Sequence, residues 1–502
     1  MISASAWTLL LLAGGIQSVL GPYFPVVSAE SEPEAPPSED QLLQQLLQSG
    51  IDPTPLFLTP YIDNCSYYDA REKSKIPYFQ RAGITAYSGY ITVNKTTDSN
   101  IFFLLTEVKD NISAPLLLWT QGGPGLSALF GLFLENGPLN FDLYPNRTPN
   151  IHPRINTLQN NMSVLYVDLP VGAGFSFTND TDNGYPAKLE DIVEHVREFL
   201  KQFLEVFSEY KNRDFYLAGE SYGARYAVAV AYYWDLFHLN SLQLKLKGII
   251  GGNGFLGPIF DVADSSEFLY YMSMVDSDGR AKFKTQFENM KELAASTNDT
   301  HKMYALQMLS DTIFTKDENP TLFQNLTLFS DHASPMFTHR PLRMLYCFGF
   351  LNDSKTKAML HAGFNNTFHI NNKYLLKKFA TDWIREISTF NEHVLNTSNV
   401  LLYTGQLDAL FPSVNQRNYY KTLNWTHAKE YRDAERCPWI PYNEYYGFAG
   451  YMKTVKEKRT FTEVVLLGMS HYGAAEKPNE AYFLINQFIA NLTAAPSVAA
   501  AS

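Results

Sequence analysis

Phe215-Tyr-Leu-Ala-Gly-Glu-Ser-Tyr-Gly-Ala-Arg-Tyr-Ala-Val-Ala-Val-Ala231 is the segment that decides the fold. It reads as a short apolar strand ending at Ala218, a turn Gly219-Glu220-Ser221-Tyr222-Gly223, and a run of helix formers from Ala224 to Ala231. A G-x-S-x-G turn between a buried strand and a helix is a nucleophile elbow, with the serine hydroxyl carried at the tip of a sharp bend. Glycines are needed on both sides, because a side chain at 219 or 223 would push into the neighbouring strand or helix. Ser221 is thus the candidate nucleophile.

Working outward, near-continuous apolar segments recur at Pro115 to Trp119, Val164 to Asp168, Leu246 to Ile250, Val400 to Tyr403 and Val464 to Leu467. Strands buried on both faces have this composition. Between two of them Ile192, Val196, Phe199, Leu200, Phe203 and Phe207 recur at helical spacing, which predicts a crossover helix from about Leu189 to Phe207. Upstream, Tyr87 to Val93 and Ile101 to Thr106 flank a polar turn and predict an antiparallel hairpin. From 259 to 395 the strand rhythm stops, and helical stretches such as Phe268 to Met274 and Tyr374 to Phe390 take over. The expected architecture is an α/β-hydrolase fold: a mostly parallel central sheet covered by helices, with an inserted, mainly helical cap. Its ligand site is expected at the carboxyl ends of the strands.

A serine hydroxyl is a poor nucleophile near neutral pH and needs an imidazole base plus a carboxylate that fixes the tautomer. In this fold the chain order is Ser, Asp, His. Asp408 follows the apolar strand at 400–403 in Thr-Gly-Gln-Leu-Asp, and His471 follows the strand at 464–467 in Gly-Met-Ser-His. Both sit in loops just past buried strands. His195 falls mid-helix, His361 and His369 fall in the cap, and His393 and His427 follow no buried strand, so packing or solvation explains them. The loop Trp119-Thr-Gln-Gly-Gly-Pro-Gly125 can bring backbone N–H groups close to a ligand, with Gly123 and Tyr222 as the expected oxyanion donors.

The chain has 502 residues, 45% of them hydrophobic, enough for a large core. Its formal charge of −11, with no basic run, argues against nucleic acid as a partner. Trp7 to Ile16 is an apolar run followed by the small-x-small pattern Val27-Ser28-Ala29, which predicts a signal peptide over 1–29. That run is too short for a membrane span, and no later segment is apolar for long enough. Expected boundaries are a flexible acidic leader at 30–54, core at 55–258, cap at 259–395, core again at 396–492 and a disordered tail at 493–502. Asn-x-Ser/Thr acceptors stand at Asn64, Asn94, Asn111, Asn146, Asn161, Asn179, Asn298, Asn325, Asn352, Asn365, Asn396, Asn424 and Asn491, which favours the secretory route, secreted or lysosomal. Cys65, Cys347 and Cys437 allow at most one intramolecular disulfide, and no paired Cys or His spacing predicts a metal site.

These blocks together resemble the serine carboxypeptidase family over most of residues 55 to 490. WTQGGPGLSALFGLFLENGPL (119–139) looks like the family's oxyanion and carboxylate-binding loop, and VDLPVGAGFSF (167–177) and GESYGARY (219–226) match two further blocks. LLYTGQLD (401–408) and the His471 loop match the rest of the triad. Gln121, GNGFLGP (252–258) and EFLYYMSMVD (267–276) resemble in particular the vitellogenic carboxypeptidase-like branch. The resemblance implies that Gln121, Gly122, Glu135 and Glu220 hold the free C-terminal carboxylate of a peptide or protein, and that Leu126 and Tyr472 line the pocket for the leaving residue. Two acids brought close share a proton, so at low pH they can donate to a third carboxylate that they would otherwise repel. The implied activity is release of C-terminal amino acids through an acyl-enzyme, at acidic pH and without metal or organic cofactor. The sequence departs from the family pattern at Ser470, where Gly is usual, at Tyr472-Gly473-Ala474, where Met-x-Pro is usual, at Gly223-Ala224, where Ala-Gly is usual, and at Leu126, where Cys or Gly is common. Two other readings fit the same residues: acyl transfer by the same triad, and a catalytically impaired secreted glycoprotein that binds peptides.

Overall fold

The computed structural model describes residues 39–109, 111, 113–314, 319–370 and 372–493. The expected signal peptide, the start of the leader and the tail beyond Thr493 lie outside them. Among the described residues thirteen strands are formed: β1 (Ala86–Asn94), β2 (Ser99–Thr106), β3 (Leu116–Thr120), β4 (Leu139–Leu143), β5 (Pro149–Pro153), β6 (Ser163–Val167), β7 (Phe177–Thr178), β8 (Asp214–Glu220), β9 (Lys245–Gly252), β10 (Asn399–Gly405), β11 (Cys437–Trp439), β12 (Gly450–Lys456) and β13 (Thr460–Leu466). Eleven of them build one sheet in the order β1-β2-β6-β3-β8-β9-β10-β13-β12-β11, with β7 paired to β2. From β6 to β13 the neighbours run parallel. At the edges β1, β2, β11 and β12 are antiparallel. This is the α/β-hydrolase fold.

Alternation along the central strands explains why they read as continuous apolar runs. Leu116, Leu118, Phe215, Leu217, Val400 and Leu402 pack into one core layer. Their neighbours Leu117, Trp119, Tyr216, Ala218, Leu401 and Tyr403 pack into the opposite one. Fully burying each such side chain contributes about 1.5–3 kcal/mol. The crossover helix spans Leu189–Val206 and buries the predicted stripe. Phe103 of β2 meets Phe199, Phe203 and Phe207 edge-on, at centroid distances of 5.8, 5.8 and 6.1 Å.

Three expectations are corrected. The leader is ordered well before residue 55: Glu39–Gln48 is a helix, and Leu46 packs on Ala358 and Phe364. The cap boundary expected at 395 falls inside the helix Ser388–Thr397, which packs on the elbow helix Tyr222–Tyr232, with Phe390 stacked on Tyr232 at 4.0 Å. That helix therefore belongs to the layer covering the sheet. Finally, Tyr374 to Phe390 is not one helix but Lys373–Lys378, a 3₁₀ turn Ala380–Trp383 and the start of Ser388–Thr397. Where the helical pattern is interrupted, the Arg225 guanidinium donates to the carbonyl oxygens of Asp382 and Arg385.

Candidate active site

The loops that end β3, β8, β10 and β13 open on the same side of the sheet and carry the candidate residues. β8 runs through Glu220, and the elbow helix begins at Tyr222 (Tyr222–Tyr232). Between them Ser221 is held at φ 54° and ψ −122°, a conformation that costs on the order of 1–3 kcal/mol. Backbone bonds over-determine it: Ser221 N–H donates to Gly252 O at 2.8 Å, and Ser221 O accepts from Phe255 N–H at 3.1 Å. The elbow glycines are as tightly placed as the sequence predicts, since a Cβ on Gly219 would lie 2.4 Å from Gly223 and one on Gly223 2.8 Å from Thr120 O.

Asp408 is fully buried, and its Oδ1 accepts from the N–H groups of Leu410 at 3.0 Å and Phe411 at 2.8 Å. Its Oδ2 is left for His471 Nδ1, at 2.9 Å. With Nδ1 so engaged, Nε2 faces Ser221 Oγ at 3.2 Å. The three predicted residues thus form one hydrogen-bonded chain. Burial pulls the imidazole pKa down, but the Asp408 carboxylate and its hydrogen bond, with Glu220 and Asp331 beyond, outweigh burial and hold it above the ordinary histidine value. Ser470 does not displace the His471 imidazole. Its N–H donates to Glu476 at 2.6 Å, its Oγ accepts from Tyr472 N–H at 3.3 Å, and its carbonyl accepts from Asn253 Nδ2 at 2.9 Å.

The predicted carboxylate-binding residues also converge. Glu135 lies on a π-helical turn, Gly131–Asn136, and is completely buried, while Glu220 is 3% exposed. Gln121 Nε2 donates to Glu135 and to Glu220, 3.3 Å from each. Trp119 Nε1 donates to Gln121 Oε1 at 3.0 Å and so fixes which way the amide faces. Tyr403 OH donates to Glu220 at 2.8 Å. Burial first, then the charge and hydrogen bond of Glu220, push the Glu135 carboxyl well above its usual range. Gly122 lies directly over the elbow: a Cβ there would be 2.6 Å from Ser221 Cβ and 2.8 Å from Tyr222 N. Gly123 borders the same cleft as Ser221. Tyr222 opens the elbow helix, where N–H groups lack intrahelical acceptors and the helix dipole favours negative charge.

Residues 77–491 match the family model described as serine carboxypeptidase. The chain belongs to the serine carboxypeptidase family. A probable serine carboxypeptidase CPVL of Pongo abelii is 33% identical over 462 residues, 90% of this chain and 94% of that protein. A vitellogenic carboxypeptidase of Aedes aegypti is 28% identical over 445 residues, 88% and 90% of the two chains. Among solved structures, the prohormone-processing carboxypeptidase Kex1 of Saccharomyces cerevisiae superposes with a TM-score of 0.66 at 19% identity, covering 84% of this chain and 96% of its own, and so shares the fold. As a serine carboxypeptidase the protein is a hydrolase of peptides.

The carboxypeptidase cleft extends from Ser221 and His471 past Gln121, Gly122 and Glu220 to Leu126 and Tyr472, the two residues expected to line the leaving-residue pocket. Its far wall was not anticipated. It is built from the cap by His332, Ala333, Arg340, Met344 and Phe348, together with Phe130. The cap even supports the base, because Ala333 O accepts the His471 backbone N–H at 3.1 Å. No sequence signal pointed to this segment, since it follows no strand and its contacts span more than a hundred residues. Asn253, Trp119 and Tyr403 were likewise unassigned as supports.

Proposed function

We propose that this carboxypeptidase releases C-terminal amino acids by an acyl-enzyme route under mildly acidic conditions. The supporting observation is that Ser221, His471, Gln121 and Glu220 line one cleft, with Asp408 buried behind His471 and Glu135 buried behind Gln121. Ser221 Oγ attacks the last peptide carbonyl while His471 Nε2 takes its proton, and the N–H groups of Gly123 and Tyr222 receive the developing oxyanion. His471 then protonates the leaving amine. Water, activated by the same imidazole, hydrolyses the acyl-enzyme. Asp408 keeps Nδ1 protonated throughout.

Gln121, the N–H of Gly122 and the shared-proton pair Glu135 and Glu220 hold the substrate's free carboxylate. The pH dependence follows from the pair. While Glu135 keeps its proton it donates, and above its raised pKa two ionised carboxyls repel the substrate. His471 works on the opposite side, because it is a base only when neutral. Part of its raised pKa comes from Glu220.

We also propose the secretory route, with the core in two parts around the cap and the final cap helix counted with the core. Of the thirteen Asn acceptors none is buried, and no described helix is long and apolar enough to cross a membrane. A peptide library treated with wild type and with Ser221→Ala, read by mass spectrometry, tests the activity. Loss of single C-terminal residues with wild type alone is expected. Cleavage inside peptides, or release by Ser221→Ala, would overturn the reading.

A further inference from the structure

Beside the acid pair, one wall of the cleft is apolar and one is charged but self-neutralised. Leu126, Phe130, Met344 and Phe348 supply the apolar wall, with Phe130 and Phe348 stacked at 6.0 Å. On the other wall Arg340 is bound to Asp331, with Nη2 2.6 Å and Nε 2.8 Å from the same Oδ2. Asp331 is 3% exposed, and its Oδ1 accepts Ala333 N–H at 2.9 Å. The Tyr472 hydroxyl lies beside both charges and is pushed up by burial and by Asp331. His332, also on this wall, is held neutral by burial, its pKa pulled down to about 4.

We infer that the Asp331–Arg340 pair neutralises the charged wall of this pocket and makes the enzyme selective for a C-terminal residue with an apolar side chain. The inference rests on the carboxypeptidase reading, which seats the substrate carboxylate on Gln121 and Glu220. The side chain on the same Cα must then enter the space bounded by Phe130, Met344, Phe348 and Tyr472. A glutamate there would bring another carboxylate beside the acid pair, and a lysine would approach a guanidinium. Each would lose its hydration with no free counter-charge, because Arg340 is held by Asp331 and the acid pair by the substrate's own C-terminal carboxylate. Discrimination of about 10²-fold or more against both is expected. Asp331 touches no reacting atom and acts through Arg340, so it is a positioning residue.

Blocked dipeptides that differ only in the C-terminal residue, Phe, Leu, Glu or Lys, test this at pH 5. For wild type, kcat/KM for Phe and Leu should exceed that for Glu and Lys by about 10²-fold. Asp331→Asn keeps an acceptor for Ala333 N–H but leaves Arg340 uncompensated, so the ratio of Glu to Phe should rise at least about tenfold. Asp331→Glu should restore the wild-type ratio. Equal rates for Phe, Glu and Lys with wild type would overturn the inference and leave the carboxypeptidase reading intact. So would an unchanged ratio in an Asp331→Asn protein that a fluorophosphonate still labels at Ser221. If that variant does not fold, the wild-type ratios decide. Release of no C-terminal residue from any dipeptide would sink the carboxypeptidase reading and this inference with it.

Discussion

Raising the pH separates the acid pair from the triad when two substrates are compared, a peptide with a free C-terminal carboxylate and the same peptide as its amide. Gln121 Nε2 is 3.3 Å from both Glu135 and Glu220, so a substrate carboxylate beside that amide lies within about 4 Å of the pair. At an effective dielectric constant of about 20, one like-charge contact at that range costs about 4 kcal/mol, or close to three decades in kcat/KM. Full ionisation of the pair should therefore lower kcat/KM for the free acid by roughly two to three decades on the alkaline side. The amide, which brings no charge, should lose little there. The acid limb, where His471 takes up a proton, should be common to both. Glu135→Gln removes one of the two ionising groups, so the alkaline fall should shrink while activity at low pH also drops for want of one donor. Stopped assays of both peptides from pH 4 to 9 decide it. Parallel alkaline limbs for acid and amide, or an undiminished fall in Glu135→Gln, would refute the argument.

Other outcomes follow from the same geometry. Gly122→Ala should fold yet lose about 10²–10³ in turnover, because its Cβ would collide with Ser221 and the Tyr222 amide; retained kcat would show that this loop is not against the elbow. Asp408→Asn should lower kcat by about 10⁴ with KM nearly unchanged, through the wrong imidazole tautomer, and pre-steady-state acylation is the check. Arg225→Leu leaves Asp382 buried and unpaired, which should cost about 3–5 kcal/mol in a urea titration; an unchanged midpoint would contradict it. Folded Glu135 binds its proton above the unfolded value, so its contribution to stability is complete below the ordinary glutamate pKa and is lost as pH rises through the raised one. Glu135→Gln should flatten that alkaline decline in melting temperature.

What could be read from the residues was local or periodic. The elbow announces itself because strand, turn and helix are adjacent in the chain, and Asp408 and His471 follow because each ends a doubly buried strand. The antiparallel edge β11–β12 escaped notice since β12 is half exposed and shows no continuous apolar run. The far wall of the cleft escaped for a different reason. Asp331 and Arg340 belong to no periodic pattern, and what makes them part of the site is a loop brought to His471 by tertiary packing; Phe348 lies on the helix Leu342–Asn352, whose apolar stripe does not say what it faces. The helix break near Asp382 was hidden in the same way, since the guanidinium that meets its carbonyl oxygens comes from the elbow helix. The resemblance to the family supplied Glu135, whose meeting with Glu220 no spacing reveals.

The bond from His471 N–H to Ala333 O gives a single stretch of the cap two duties. Residues 331–340 both shape the pocket and hold the general base against Ser221. A lineage that retailored this loop for a new substrate would risk detuning its own chemistry, so specificity here should drift more readily at Leu126, Phe130 and Phe348, which are free of that double obligation.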